Sequence, residues 1–256
     1  MTAERVWTAA LIVIGDEILS GRTQDANVAQ VADWLNRQGI RFEEVRVVPD
    51  RQDRIVEAVN ALRARYDYLF TTGGIGPTHD DITVDSIAAA LGVEVVIHPD
   101  ARAILQEYYR DRGGLTEARL RMARVPKGAE LIPNPHSGAP GVRIGNIYIM
   151  AGVPHIAARM LEALDGRLEG GRPLISLTVG AFAAESEVAD LLRRVEADHP
   201  GVSVGSYPFY GGGRLGANFV IRGEDGEAVD RCATGLCEAL RDAGFEPVAG
   251  GIIPSQ

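Results

Sequence analysis

Apolar residues along this chain fall into short unbroken runs alternating with helical stripes. The run AALIVI (Ala9–Ile14) has no polar interruption, as expected of a strand buried on both faces of a sheet. After the loop GDEILSGRTQ, the segment DANVAQVADWLNRQG sets Val28, Val31, Ala32 and Leu35 at helical spacing. Asp25 is its candidate amino-terminal cap and Gly39 its stop. RFEEVRVV reads as a second strand, and DRIVEAVNALRARY places Ile55, Val59, Leu62 and Tyr66 on one stripe. YDYLFTT predicts a third strand, TVDSIAAALG a third helix and VEVVIH a fourth strand. Residues 101–126 read as helical and polar enough to lie across the outside. AELIPNPHSGAPGVRIGNIYIMAG follows, with a hairpin turn expected at Gly145-Asn146, and PHIAARMLEALDG closes the series as a helix.

Strand and helix thus alternate four times with short connections. That order predicts a three-layer α/β fold: a parallel sheet, mixed at its edge, with helices on both faces. A composition break at Asp165–Pro173 separates a second pattern of strand (LISLTVGA), helix (SEVADLLRRVEADHPG), strand (VSVGSYPF), strand (GANFVIRG) and helix (GEAVDRCATGLCEALRDAG). This is the order of a small α+β domain. The expected boundaries are 1–168 and 172–256.

Charge narrows the partners. Acidic residues outnumber basic ones, 35 to 26, for a formal net charge of -9, and no dense Lys/Arg block occurs. Nucleic acid and anionic membranes are therefore not expected as partners. Cys232 and Cys237, five apart, suit neither a disulfide nor a zinc pair, which points to a reducing, cytoplasmic setting. The apolar run near the start ends at Gly15 and reads as a strand, not a signal peptide.

Ligands of open parallel sheets bind beyond the carboxyl ends of the strands. Two polar loops leave such ends: GDEILSG after the first strand and TTGGIGPTHDD, Thr71–Asp81, after the third. The second has neither the Lys-Ser/Thr of a Walker A loop nor the third glycine of a dinucleotide fingerprint. Its glycines allow close backbone approach, and the helix that follows offers amides to an anion. Thr72, Gly73, Gly74 and Gly76 are the candidate phosphate contacts, with His79 beside them and Asn27 placed to orient a ribose or phosphate.

The acids need a reason. A carboxylate beside a phosphate is repulsive by roughly 4 kcal/mol at ~4 Å and an effective dielectric of about 20. One helix terminus offsets on the order of 1 kcal/mol of that. A divalent cation balances both groups, so Asp80 and Asp81, with Asp16 and Glu17, are candidate ligands for Mg²⁺ or a similar ion. The structural alternatives are a capping box formed by Thr78 and Asp81, first-turn helix acids, and a solvated turn at Asp16-Glu17. Asp85, one turn after Asp81, suits surface or site. His155 and His136 are further candidates for the crevice; His98 reads as a turn residue and His199 as surface. YPFYGGGR, Tyr207–Arg214, could cover a base or form a hairpin loop.

TTGGIGPTHDDITVDSIAAALG resembles the signature of the molybdopterin-binding domain of molybdenum-cofactor biosynthesis proteins. VIGDEILSGRTQDANVAQVADWLNRQGI, LIPNPHSGAPG and IYIMAGVPHIAARMLEAL are similar to its other segments, so the resemblance covers about residues 4–168. Within the family, the GDE-LSG-DAN and NP-x-x-G-APG combination resembles the amino-terminal domain of competence/damage-inducible protein A, and the tail is similar to the extra small domain of that group. The nicotinamide-nucleotide amidase domain carried by many of its members is not expected here. The resemblance implies metal-dependent (Mg, Mn or Co) hydrolysis of a dinucleotide pyrophosphate such as ADP-ribose or FAD, by attack of a metal-bound hydroxide. The other activities in view are binding or adenylylation of molybdopterin, and a non-catalytic nucleotide-binding module. It also implies a homo-oligomer. The family's key aspartate falls on Asp81, a second acid on Asp85, the phosphate loop on Gly73, Gly74 and Gly76, and the closing turn on Gly152 and Pro154. Ile75 stands where the cofactor-synthesis enzymes carry a hydroxyl residue, and His155 where this branch often has an acid.

Overall fold

A computed structural model describes residues 5–134 and 138–253, divided into two compact units between residues 171 and 172. His136 lies outside the described residues. The first unit runs β1 (Trp7–Ile14), α1 (Asp16–Leu19), α2 (Asn27–Arg37), β2 (Ile40–Val48), α3 (Gln52–Arg63), β3 (Tyr68–Thr72), α4 (Thr83–Leu91), β4 (Val95–Ile97), α5 (Pro99–Tyr108), α6 (Glu117–Leu120), β5 (Arg124–Pro126), β6 (Glu130–Ile132), β7 (Gly141–Ile144), β8 (Ile147–Met150) and α7 (Pro154–Glu162). Its six-stranded sheet has the order β2-β1-β3-β8-β7-β6. Strands β2, β1, β3 and β8 are mutually parallel, and β7 pairs antiparallel with both β8 and β6.

The unbroken apolar run of β1 serves two cores, because successive side chains point to opposite faces. Ala9, Leu11 and Val13 join Val31, Trp34 and Leu35 of α2 and Met160 and Leu161 of α7. Ala10, Ile12 and Ile14 join Ile55, Ala58, Val59 and Leu62 of α3 and Ile87 of α4. Helices therefore cover both faces, giving the three layers expected, with each fully buried aliphatic side chain contributing about 1.5–3 kcal/mol. Trp34 is 2% exposed, packs edge-on to Phe70, and donates its indole N–H to Asp165 at 2.7 Å. Trp34→Phe is expected to cost about 0.5–1.5 kcal/mol in urea unfolding, since the Asp165 acceptor loses one of its donors and keeps Gln38.

Two expectations need correction. VEVVIH does not extend the main sheet: β4 pairs antiparallel with β5 in a separate two-stranded sheet. The place beside β3 goes to β8, whose IYIM is buried throughout, whereas β4 is half-buried to exposed. Residues 101–126 are not one helix. Gly113 and Gly114 take positive φ (84° and 76°), which ends the helical path. Thr116 then caps the short α6 by accepting from the Arg119 N–H, and a 3₁₀ turn, Arg121–Ala123, leads into β5. Other local signals hold. The Asp25 carboxylate accepts from the Val28 N–H at 2.8 Å, Gly39 ends α2 at φ 69°, and Ile144 faces Ile147 across the Gly145-Asn146 hairpin.

The second unit runs β9 (Ile175–Ala181), α8 (Glu185–Ala197), β10 (Val202–Gly211), β11 (Arg214–Gly223), α9 (Gly226–Asp242) and β12 (Val248–Ala249). Its antiparallel sheet has the order β10-β11-β9-β12, with both helices packed on one face around Phe219, Ile221, Val188 and Leu236. This is the α+β order expected, with β12 added. YPFYGGGR is the hairpin: Gly212 and Gly213 both take positive φ (59° and 74°), as a two-residue turn between twisted strands requires. Cys232 is buried in this core and is free of any disulfide, as is Cys237; burial raises the Cys232 thiol, with Glu196 adding to it.

Candidate functional site at the carboxyl ends of the central strands

Strands β1, β2 and β3 run parallel, so Gly15, Asp50 and the glycine loop emerge on the same edge of the sheet. Backbone contact fixes the loop's path. The Gly73 N–H donates to the Met150 carbonyl, the Thr83 hydroxyl donates to the Gly73 carbonyl at 2.8 Å, and the Thr83 N–H donates to the Gly74 carbonyl. Gly73 and Gly74 take φ of 101° and 65°, and a Cβ at Gly73 would lie 2.1 Å from the Ile14 carbonyl oxygen. A Cβ at Gly76 would meet the Asp81 carboxylate at 2.7 Å. Among the described residues, the N–H groups of Gly74, Ile75 and Gly76 donate to no backbone carbonyl. Successive amides left in this way form an anion-binding concavity.

Asp81 folds back on its own loop, accepting from the Thr78 N–H at 2.7 Å. The Thr78 hydroxyl is within hydrogen-bonding reach of both Asp80 and Asp81, and with one hydrogen it serves one of them at a time. This is only half of the capping box considered from the sequence, and no helix follows it: α4 begins at Thr83 with Ile82 as its cap residue. Asp80 is exposed, and its carboxyl sits below the ordinary range through the Thr78 hydroxyl bond. His79 is exposed at the loop tip. Asp85 pairs with Arg124 and is half-buried.

The structure adds an acid that the sequence reading missed. Asp50 accepts from the Asp16 N–H at 2.9 Å. Burial raises its carboxyl above the ordinary 3.8, and the nearby charges of Glu17, Asp16 and Asp80 raise it further, against the lowering Asp16 bond. The signal was available: Asp50 leaves the carboxyl end of β2, beside the two loops considered. A raised folded value means that Asp50 stabilises the fold when protonated, below pH 3.8, and that this contribution is lost as pH rises through the raised value. Asp50→Asn is therefore expected to raise stability at pH 7 by under about 1 kcal/mol, and to be neutral at about pH 3. Thermal unfolding at the two pH values checks this; a less stable variant at pH 7 would contradict it.

Two clefts flank the glycine loop. One is lined by Glu17, Asn27, Thr72, Gly152 and Pro154 among others. Asn27 is 4% exposed; its amide donates to the Gly152 carbonyl at 2.8 Å and accepts from Gln30. It therefore ties α2 to the closing turn as well as lining the cleft. The Thr72 hydroxyl is buried with no hydrogen-bond partner among the described residues, the kind of group a ligand or water satisfies. The second cleft is lined by Gly74, Gly76, Asp81, Asp85, Arg121 and Arg124 among others. Asp16, Asp80 and His79 line neither cleft, and His155 is exposed in the first turn of α7. Ile75 packs against both cores, so its side chain offers the crevice no polar contact.

Among the described residues, no group of three or more His, Cys, Asp or Glu side chains is gathered to hold a metal ion. The donors nonetheless fit a hard divalent cation of the Mg²⁺ type, which is held through one or two carboxylates with phosphate oxygens and waters completing its shell. Asp50 already feels the charges of Glu17, Asp16 and Asp80.

Known proteins share this architecture. Residues 10–169 match the family described as probable molybdopterin binding domain, and residues 173–249 match the middle domain of FAD synthase. The chain belongs to this molybdopterin-binding domain family, in its CinA-like branch. A CinA-like protein of Citrifermentans bemidjiense is 41% identical over 72% of this chain and 47% of its own length, so the chain spans about half of that relative. A protein of Archaeoglobus fulgidus is 32% identical over 91% of this chain and 97% of its own. The crystal structure of the CinA protein of unknown function from Thermoplasma acidophilum superposes with a TM-score of 0.58 at 33% identity, covering 63% of this chain and 98% of that one. No helix among the described residues is long and apolar enough to cross a membrane.

Proposed function

We propose that the chain binds a dinucleotide pyrophosphate of the ADP-ribose or FAD type along the glycine loop and hydrolyses it to AMP. The observation that carries this reading is the meeting of Gly73–Gly76 with the carboxylates Asp16, Glu17, Asp50, Asp80 and Asp81 on one edge of the sheet. The amides of the glycine loop hold phosphate oxygens, and Thr78 keeps the Asp81 carboxylate turned toward the loop. A divalent ion (Mg, Mn or Co), held by Asp81 and Asp80 with Asp16 or Glu17, supplies charge neutralisation and lowers the pKa of water. Water adds to the phosphorus distal to adenosine, in line with the bridging oxygen, and that P–O bond breaks. AMP leaves with the bridging oxygen, the other half leaves as a phosphate monoester carrying the water oxygen, and the proton passes to solvent. Self-association of the chain and a cytoplasmic setting belong to the same reading.

The match of the second unit to the FAD synthase middle domain favours a nucleotide ligand. The match of the first unit to a probable molybdopterin binding domain supports a second reading, binding or adenylylation of a pterin. Ile75, turned into the core, offers no hydroxyl at the loop and weighs against it. The test is a panel of ADP-ribose, FAD, NAD and diadenosine polyphosphates with Mg²⁺, Mn²⁺ or Co²⁺ and a chelator control. AMP release that the chelator abolishes is expected. No release from any of them, with pterin fluorescence copurifying, would favour the binder; neither would leave a non-catalytic nucleotide module.

A further inference from the structure

Arg119 and Arg121, between α5 and β5, and Arg124, the first residue of β5, lie close together in sequence, and the structure treats them differently. Arg119 donates to the carbonyls of Arg112 and Gly114, and Arg124 pairs with Asp85. Arg121 has no ion pair and no hydrogen bond among the described residues, and its Nε is buried without a partner. In a chain of net charge -9 an unpartnered guanidinium beside carboxylates is unexpected. Buried polar groups are ordinarily satisfied, and one that is not marks a place for a ligand or an ion. Arg121 lines the same cleft as Gly74, Ile75 and Gly76 of the glycine loop, so a guanidinium with five N–H donors and the loop backbone border one space.

We infer that Arg121 is the cationic half of a two-walled diphosphate site, taking one phosphate of the ligand while the glycine-loop amides take the other. A single phosphate occupies one wall; a pyrophosphate spans both. The guanidinium also supplies counter-charge for the ligand next to Asp81, whereas Arg124 in the same cleft is already neutralised by Asp85. This inference rests on the phosphate-site reading above and is independent of turnover.

The test is calorimetric titration of the full chain with inorganic pyrophosphate and with inorganic phosphate, in EDTA, for wild type and Arg121→Gln. The wild type is expected to prefer pyrophosphate by about tenfold or more, and Arg121→Gln to lose about tenfold in pyrophosphate affinity and with it the preference. If Arg121→Gln fails to fold by thermal unfolding, Arg121→Met, which keeps the apolar stem, takes its place with the same expectation. Arg121→Lys, which keeps the charge but not the planar fork, is expected to recover part of the affinity. Equal pyrophosphate affinity in wild type and the variant, or no binding of either anion by wild type, would overturn the assignment. AMP release by wild type with an unchanged Arg121→Gln affinity would overturn it while sparing the hydrolase; the affinity loss without any turnover would do the reverse.

Discussion

Gly73→Ala is expected to destabilise the first unit by about 2–5 kcal/mol, the sum of about 1–2 kcal/mol for a side chain at positive φ and about 1–3 kcal/mol for overpacking. The backbone at Gly73 sits at φ 101°, and an added Cβ would press within 2.1 Å of the Ile14 carbonyl oxygen. That oxygen belongs to Ile14, the last residue of β1, which is held in register with Val48 of β2. The loop is pinned as well, through the Met150 carbonyl and the Thr83 hydroxyl. Both tryptophans, Trp7 and Trp34, lie in the first unit, so their fluorescence in urea reports that unit alone. A loss below about 1 kcal/mol would show that the loop relaxes more freely than this geometry allows.

Asp81→Asn is expected to lower the rate of AMP release by about 10²-fold or more, the scale of removing one group that stabilises developing charge. Stability should change by less than about 1 kcal/mol, because the amide oxygen still accepts from the Thr78 N–H. The pairing of the two readouts matters. A large loss of stability with the loss of rate would assign Asp81 to loop structure, which the Thr78 bonds make the competing explanation. An unchanged rate would remove Asp81 from the chemistry.

The central layers were legible because hydrophobic spacing reports them directly. AALIVI could only be a strand buried on both faces, and both faces are filled by the helices whose stripes were visible. VEVVIH misled because a short apolar run does not say which sheet it joins; competition with the fully buried β8 decided that. The span 101–126 misled for a related reason: its helical composition concealed the Gly113-Gly114 break, and with it the turn that carries Arg121 to the glycine loop. Half of the candidate site was legible as a loop of local sequence. Arg121 was not, because it reaches the loop only through the excursion after α5; Asp50 was signalled by its place at the carboxyl end of β2 but was passed over. The counter-charge problem posed by Asp80 and Asp81 was assigned to a metal ion, because helix amides alone are too weak to offset it. The fold brings Arg121 and Arg124 into the cleft that Asp81 lines, so side-chain cations and a metal ion can share that role.

A crystal structure of the chain soaked with ADP-ribose and Mg²⁺ tests the central claim most directly. The pyrophosphate is expected against the amides of Gly74–Gly76, with Asp81 facing it across a bound ion. Ligand density elsewhere on the surface, or Asp81 turned to bulk water with no ion beside the nucleotide, would contradict it.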